Sequence, residues 1–159
     1  PVAVFYIKTL QEYFPEMKII HLIRDGRDVS LSTLNPETPV RWNSIEFSAK
    51  QWKKSILYAR EYKNNKDYHE LKYEDLLENP KTEINKILDF LRLQKMSKEE
   101  LRNFNKRIDF SEIPSSHRKN ISKGITKNIN KRAKYRMTSE KKRKFRKSAG
   151  KMLDKLGYN

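Results

Sequence analysis

The sequence predicts an α/β chain, helix-rich, with about two short strands. Apolar residues recur at spacings of three and four through most of the chain, which is the period of amphipathic helices. Only two runs, 18–23 and 69–72, have the length and composition of strands. Arg24-Asp25-Gly26 then gives the first run a tight turn into a following helix, with Gly26 free to bend and Asp25 able to cap.

Element by element, residues 2–14 read as an amphipathic helix on Val4, Ile7, Leu10 and Phe14, stopped by Pro15. Lys18 to Ile23 reads as a buried strand, and 27–34 as a helix burying Val29 and Leu31. Asn35 to Pro39 is a loop. A long helix over 44–63 places Ile45, Ala49, Trp52, Ile56, Ala59 and Tyr62 on one face. His69 to Lys72 is the second strand, and Tyr73 to Leu77 a turn or short helix. Pro80 opens the next helix, with Ile84, Ile87, Leu88 and Leu91 as its stripe. Ser97 and Glu100 form a capping box for a helix reaching about Asn105. Residues 109–136 are an irregular basic loop. Thr138 caps a last helix over 138–156, whose apolar face is Phe145, Ala149, Met152, Leu153 and Leu156, and Gly157 ends it.

With 159 residues, 36% hydrophobic and 35% charged, the chain is long enough for one domain with a core, taken as 1–159. No apolar run is long enough to span a bilayer and no leader pattern opens the chain, which points to a cytoplasmic protein. Cysteine is absent, so disulfide and thiolate chemistry are excluded. The net charge of +16 favours anionic partners. Composition alone would put a nucleic-acid-binding module first, with 117–151 as its basic stretch. A solvated lysine-rich surface accounts for the charge equally well.

The chemistry concentrates where the first strand ends. Ligands of open α/β sheets bind beyond the carboxyl ends of strands, where helix N-termini attract phosphate. Arg24 stands there with a planar fork suited to phosphate, and Ser32 follows eight residues on. The residue types leave a second use open, a surface ion-pair cluster of Arg24, Asp25, Arg27 and Asp28. His21, Arg24 and Asp25 faintly suggest a kinase catalytic loop, but the spacing is wrong and no Asp-Phe-Gly is present.

The string FPEMKIIHLIRDGRDVSLSTL resembles the 3′-phosphate motif of the PAPS-dependent sulfotransferase family, and LKYEDLLENPKTEINKILDFLRL is similar to a later block of that family. The resemblance implies a P-loop-NTPase-like three-layer fold, incomplete here, with its two strands parallel. It implies that Arg24 and Ser32 hold the 3′-phosphate of 3′-phosphoadenosine 5′-phosphosulfate (PAPS), the sulfate donor, with Tyr73 contacting the nucleotide and no metal. SSHRKNISKG resembles the family's C-terminal phosphate-binding segment, making Arg118, Lys119, Lys123 and Gly124 candidates, although Tyr135 stands where the family often has Trp. The implied activity is transfer of a sulfuryl group to an acceptor hydroxyl or amine. A glycan or other acidic acceptor suits the basic surface, and nucleic acid becomes the alternative. An inactive remnant of the family is the third option.

The family's opening strand and Gly- and Ser/Thr-containing loop, which cradle the 5′-phosphosulfate, have no counterpart among four glycines. Pro1 falls where the family often has the Pro of a Lys-Thr-Pro, so the chain is expected to begin inside the domain, as the C-terminal portion lacking that loop, and to be inactive alone. No catalytic residue is nominated. His21 sits within a strand, and His69 and His117 match no family role.

Overall fold

A computed structural model describes residues 2–34, 42–103 and 137–158. Its described elements are a 3₁₀ turn (Val2–Tyr6), α1 (Ile7–Tyr13), β1 (Ile19–Ile23), α2 (Gly26–Thr33), α3 (Ile45–Arg60), β2 (Tyr68–Lys72), α4 (Tyr73–Glu78), α5 (Pro80–Leu91), α6 (Lys98–Asn103) and α7 (Ser139–Lys155). The two strands pair as a two-stranded parallel sheet. The chain divides into two compact units, one of 1–70 with 130–159, the other of 71–129. Among the described residues no helix is long and apolar enough to cross a membrane.

The core of the first unit joins Ile23 of β1, Ile45, Ala49, Trp52 and Ile56 of α3, and Phe145, Ala149, Met152 and Leu153 of α7. Met137, Leu156 and Tyr158 close it on the α7 side. The predicted stripes of α3 and α7 are therefore its two walls. Ala49 and Ala149 are small, so they let the two helices pack closely. Phe145 is fully buried, and burying a side chain of this size contributes about 1.5–3 kcal/mol. The predicted cap of the last helix forms, Thr138 accepting from the Lys141 amide at 3.3 Å, and the structure adds a cap at α3, where Ser44 accepts from the Phe47 amide at 3.1 Å. Tyr62, expected on the α3 face, lies beyond the helix end and is half-buried.

Four expectations are corrected. The helix expected over 2–14 begins as a 3₁₀ turn, and Leu10 and Phe14 are exposed, leaving Ile7 as its buried residue. The strand expected to be buried alternates instead, with Ile23 inside and Ile20 and Leu22 exposed, because successive side chains point to opposite faces of the sheet and Ile23's face packs on the core. In α2 the buried positions are Gly26, Asp28 and Ser30, while Val29 and Leu31 are half-buried against the core. The stripe of α5 is only half-buried, and Glu83 is its buried residue.

In the second unit, α4 and α5 follow β2 without a break, and Pro80 opens α5 as expected. Arg92 takes the left-handed conformation, φ 60°, that ends α5. The Asn85 amide clamps the backbone of Met96 through bonds of 2.9 and 3.2 Å. The capping box forms at α6, Ser97 to Glu100 and back, at 3.1 and 2.8 Å. The basic loop expected at 109–136 lies outside the described residues.

Candidate functional site

The turn between β1 and α2 is held from three directions. The Trp52 indole N–H donates to the Arg24 carbonyl at 3.0 Å, fixing the strand end to α3. Asp25 caps α2, accepting from the Arg27 amide at 2.9 Å, and its carboxylate also takes the Arg27 guanidinium at 2.7–3.1 Å. Gly26 is required by space. A Cβ there would come within 2.6 Å of the Phe145 ring and meet the Trp52 ring as well, so any side chain would displace two core aromatics.

Arg24 leaves this turn toward Asp28, one turn into α2. Its Nη2 lies 3.1 Å from the Asp28 Oδ2. The carboxylate is buried, with 1% of its side chain exposed, against 26% for the arginine. A buried acid thus anchors one end of the fork while part of the guanidinium reaches solvent. Ser32 follows Asp28 by four residues, so it shares that helix face one turn further, about 6 Å along the axis. Its side chain is exposed. Arg24, Asp28 and Ser32 thereby stand at intervals of four residues, from the strand end before α2 to its last turn. Arg27 has its pKa raised by its hydrogen bond to Asp25. The ion pairs Arg24–Asp28 and Arg27–Asp25 are the cluster that the sequence left open as a second use of these residues.

α2 is bound to α3 through hydroxyls that sequence reasoning passed over. Ser48 donates to Ser30 at 2.6 Å, both fully buried, and Thr33 lies 3.4 Å from Ser48. The available signal was a serine on the apolar face of each helix.

His21 faces a polar group on β2. Its Nδ1 lies 2.7 Å from the Tyr68 hydroxyl, which donates to Glu70 at 3.0 Å, and Arg60 forks onto Glu70 at 2.6 and 2.9 Å. Burial holds the His21 pKa below its ordinary value, against the pull of Glu70. Burial alone would raise Glu70, but hydrogen bonds from Arg60 and Tyr68 outweigh it and leave the carboxyl below its usual range. Burial, with the Glu70 charge, raises Tyr68.

Tyr73 opens α4 in the second unit and is half-buried. Arg118, Lys119, Lys123 and Gly124 lie outside the described residues. Among the described residues no group of three or more His, Asp or Glu is placed to hold a metal ion.

A model of the sulfotransferase family matches residues 1–98. No curated protein matches the chain by sequence. Among solved structures, the sulfotransferase domain from the curacin biosynthetic pathway is similar, at TM-score 0.55 and 20% identity. The superposition covers 89% of this chain and 54% of that domain, so the chain spans about half the length of its solved neighbour.

Proposed function

The chain belongs to the sulfotransferase family, and on that premise we propose that it binds the sulfate donor PAPS, with Arg24 and Ser32 as the grip on the 3′-phosphate. The observation that carries this reading is the set Arg24, Asp28 and Ser32: an arginine with 26% of its side chain exposed, anchored by a buried acid, with an exposed serine on that acid's helix face. Arginine's rigid fork suits a phosphate, and anchoring it in advance lowers the ordering needed on binding. The N-terminal amides of α2 add a favourable field for an anion. Tyr73 is the proposed contact to the nucleotide, and Arg118, Lys119, Lys123 and Gly124 are proposed as further phosphate contacts.

When bound, the donor supplies an activated sulfuryl group for an acceptor hydroxyl or amine. This chain's part is to hold the nucleotide. Arg24 and Ser32 fix the end of the donor remote from the reacting sulfur, and such remote binding orients a reactant. No catalytic residue is proposed within the 159. The chain is proposed to be the C-terminal portion of its domain, with the 5′-phosphosulfate loop supplied from outside it. The exposed Ile20 and Leu22 of β1 support that reading, since they offer an apolar sheet face to a further covering layer.

Calorimetry with adenosine 3′,5′-bisphosphate against 5′-AMP tests the assignment. The bisphosphate is expected to bind more tightly. Ser32→Ala, at an exposed position, is expected to erase part of that preference without loss of folding. Arg24→Lys, which keeps the charge but not the fork, is expected to weaken the bisphosphate by about 1.5–3 kcal/mol. Equal affinity for the two nucleotides would end the 3′-phosphate reading.

A further inference from the structure

α3 and α7 bury one face against each other and turn a second face outward together. That outward face is a groove of about 750 Å³, lined by Glu46, Lys50, Lys53, Lys54 and Leu57 of α3 and by Arg143, Lys144, Lys147 and Ser148 of α7. Lys50, Lys53, Lys54 and Leu57 follow the spacing of one helical stripe, as do Arg143 or Lys144 with Lys147. Packing the apolar stripes of the two helices forces the two cationic rows to face each other.

The charge is poorly balanced. Lys144 lies 2.9 Å from Glu140 and 3.9 Å from Glu46. Lys54 sits 5.2 Å over the Phe5 ring. Among the described residues no carboxylate lies within ion-pair distance of Lys50, Lys53, Arg143 or Lys147. Clustered like charges destabilise the fold by mutual repulsion, and walls of low dielectric focus their field into the groove. A ligand carrying several anions would relieve both.

We propose that this groove binds a linear anionic polysaccharide. Three features select that class. The lining is concave, which suits a chain rather than a flat lipid surface. Among the described residues its lining holds no aromatic ring, and so no platform for stacking the bases of a single strand. Five of its six cations are lysines, point charges with rotatable donors, which suit anions spread along a flexible polymer better than the planar, bidentate edges that arginine reads in nucleic acid. Ser148 and the ammonium groups can also donate to sugar hydroxyls. The stripe from Lys50 to Leu57 runs about 10 Å along α3, so the site engages a short stretch of polymer. None of its lining residues belongs to the β1–α2 turn, and the proposal stands apart from the 3′-phosphate assignment.

The test is titration of the full chain with a fluorescent heparin oligosaccharide, carrying sulfates and carboxylates, and with hyaluronan, carrying carboxylates only. Lys50→Glu/Lys53→Glu and Arg143→Glu/Lys147→Glu should each weaken binding about tenfold and flatten its salt dependence. Lys63→Glu/Lys66→Glu changes net charge equally at exposed positions outside the groove and should shift affinity by less than about threefold. The corresponding Lys→Gln and Arg→Gln pairs serve if a reversal variant fails to fold. Binding of either polysaccharide through the groove upholds the proposal, and the two arms tell which anion it prefers. Equal losses from groove and control variants would overturn it. So would tighter groove-dependent binding of an oligonucleotide of matched charge. Bisphosphate affinity is measured on the same variants and should not change, which separates this outcome from the donor assignment.

Discussion

The β1–α2 turn and the α3–α7 groove are both rich in cations, yet they are organised in opposite ways. At the turn each arginine has a carboxylate of its own, Asp28 for Arg24 and Asp25 for Arg27, and the backbone is fixed by Trp52 and by the absence of a side chain at Gly26. In the groove, rows of lysines face each other, and Glu46 and Glu140 compensate only Lys144 among the described residues. Net charge separates the two: the turn's two arginines and two aspartates cancel, whereas the groove lining sets six cations against Glu46. Geometry follows suit, since one region is built to point a single fork, and the other to sustain a diffuse positive field.

The sharpest way to break the turn is Gly26→Ala. The added methyl meets two packed rings, and overpacking of this kind is expected to destabilise by about 1–3 kcal/mol, read by urea unfolding. An unchanged midpoint would mean that the turn is looser than its contacts imply. Trp52→Phe keeps a ring but removes the bond to the Arg24 carbonyl. A loss of about 1 kcal/mol is expected, with a further loss of bisphosphate affinity if the strand end positions Arg24.

Acidification probes the polar group beside β1. The folded pKa of His21 is depressed, so its contribution is present above its ordinary value of 6.5 and is lost as pH falls through the folded value. Glu70 is likewise depressed, so its contribution is present above 4.5 and is lost at still lower pH. Thermal stability should therefore fall in two stages below pH 6.5. His21→Gln should remove the first stage, and persistence of that stage in the variant would assign it elsewhere.

The smallest effect belongs to the groove. Added salt screens like charges, so the melting temperature should rise between low and physiological ionic strength. Lys50→Gln with Lys147→Gln should stabilise by a few tenths of a kcal/mol, roughly the scale of exposed charge pairs, and should blunt that rise. A salt response unaltered in the double variant would show that the repulsion resides in other lysines.

The sequence by itself determined the local structure. The period of three and four in α3 and α7 identified nine of the twelve residues of the core cluster, all but Ile23, Met137 and Tyr158, because a helix buries a stripe whatever it packs against. Ser97 and Thr138 marked helix starts, because an unsatisfied amide is a local matter that a nearby hydroxyl resolves. Arg24 and Ser32 were singled out by spacing and by resemblance to a family to which the chain does belong. Only the tertiary structure decided what faced what. Ile20 and Leu22 read as buried because apolar residues are read as core, but burial is a property of neighbours, and only the face of β1 that carries Ile23 packs against the core. Asp28 read as part of a surface cluster, yet it is buried with Arg24 on it, and Ser30, which the sequence did not single out, is buried because Ser48 arrives from α3 to satisfy it. The opposed lysine rows are nearly a hundred residues apart in the chain and become one groove only when two apolar stripes meet. Hydrophobic period is written along the chain, whereas the pairing of charges depends on distances that the chain sets only by folding.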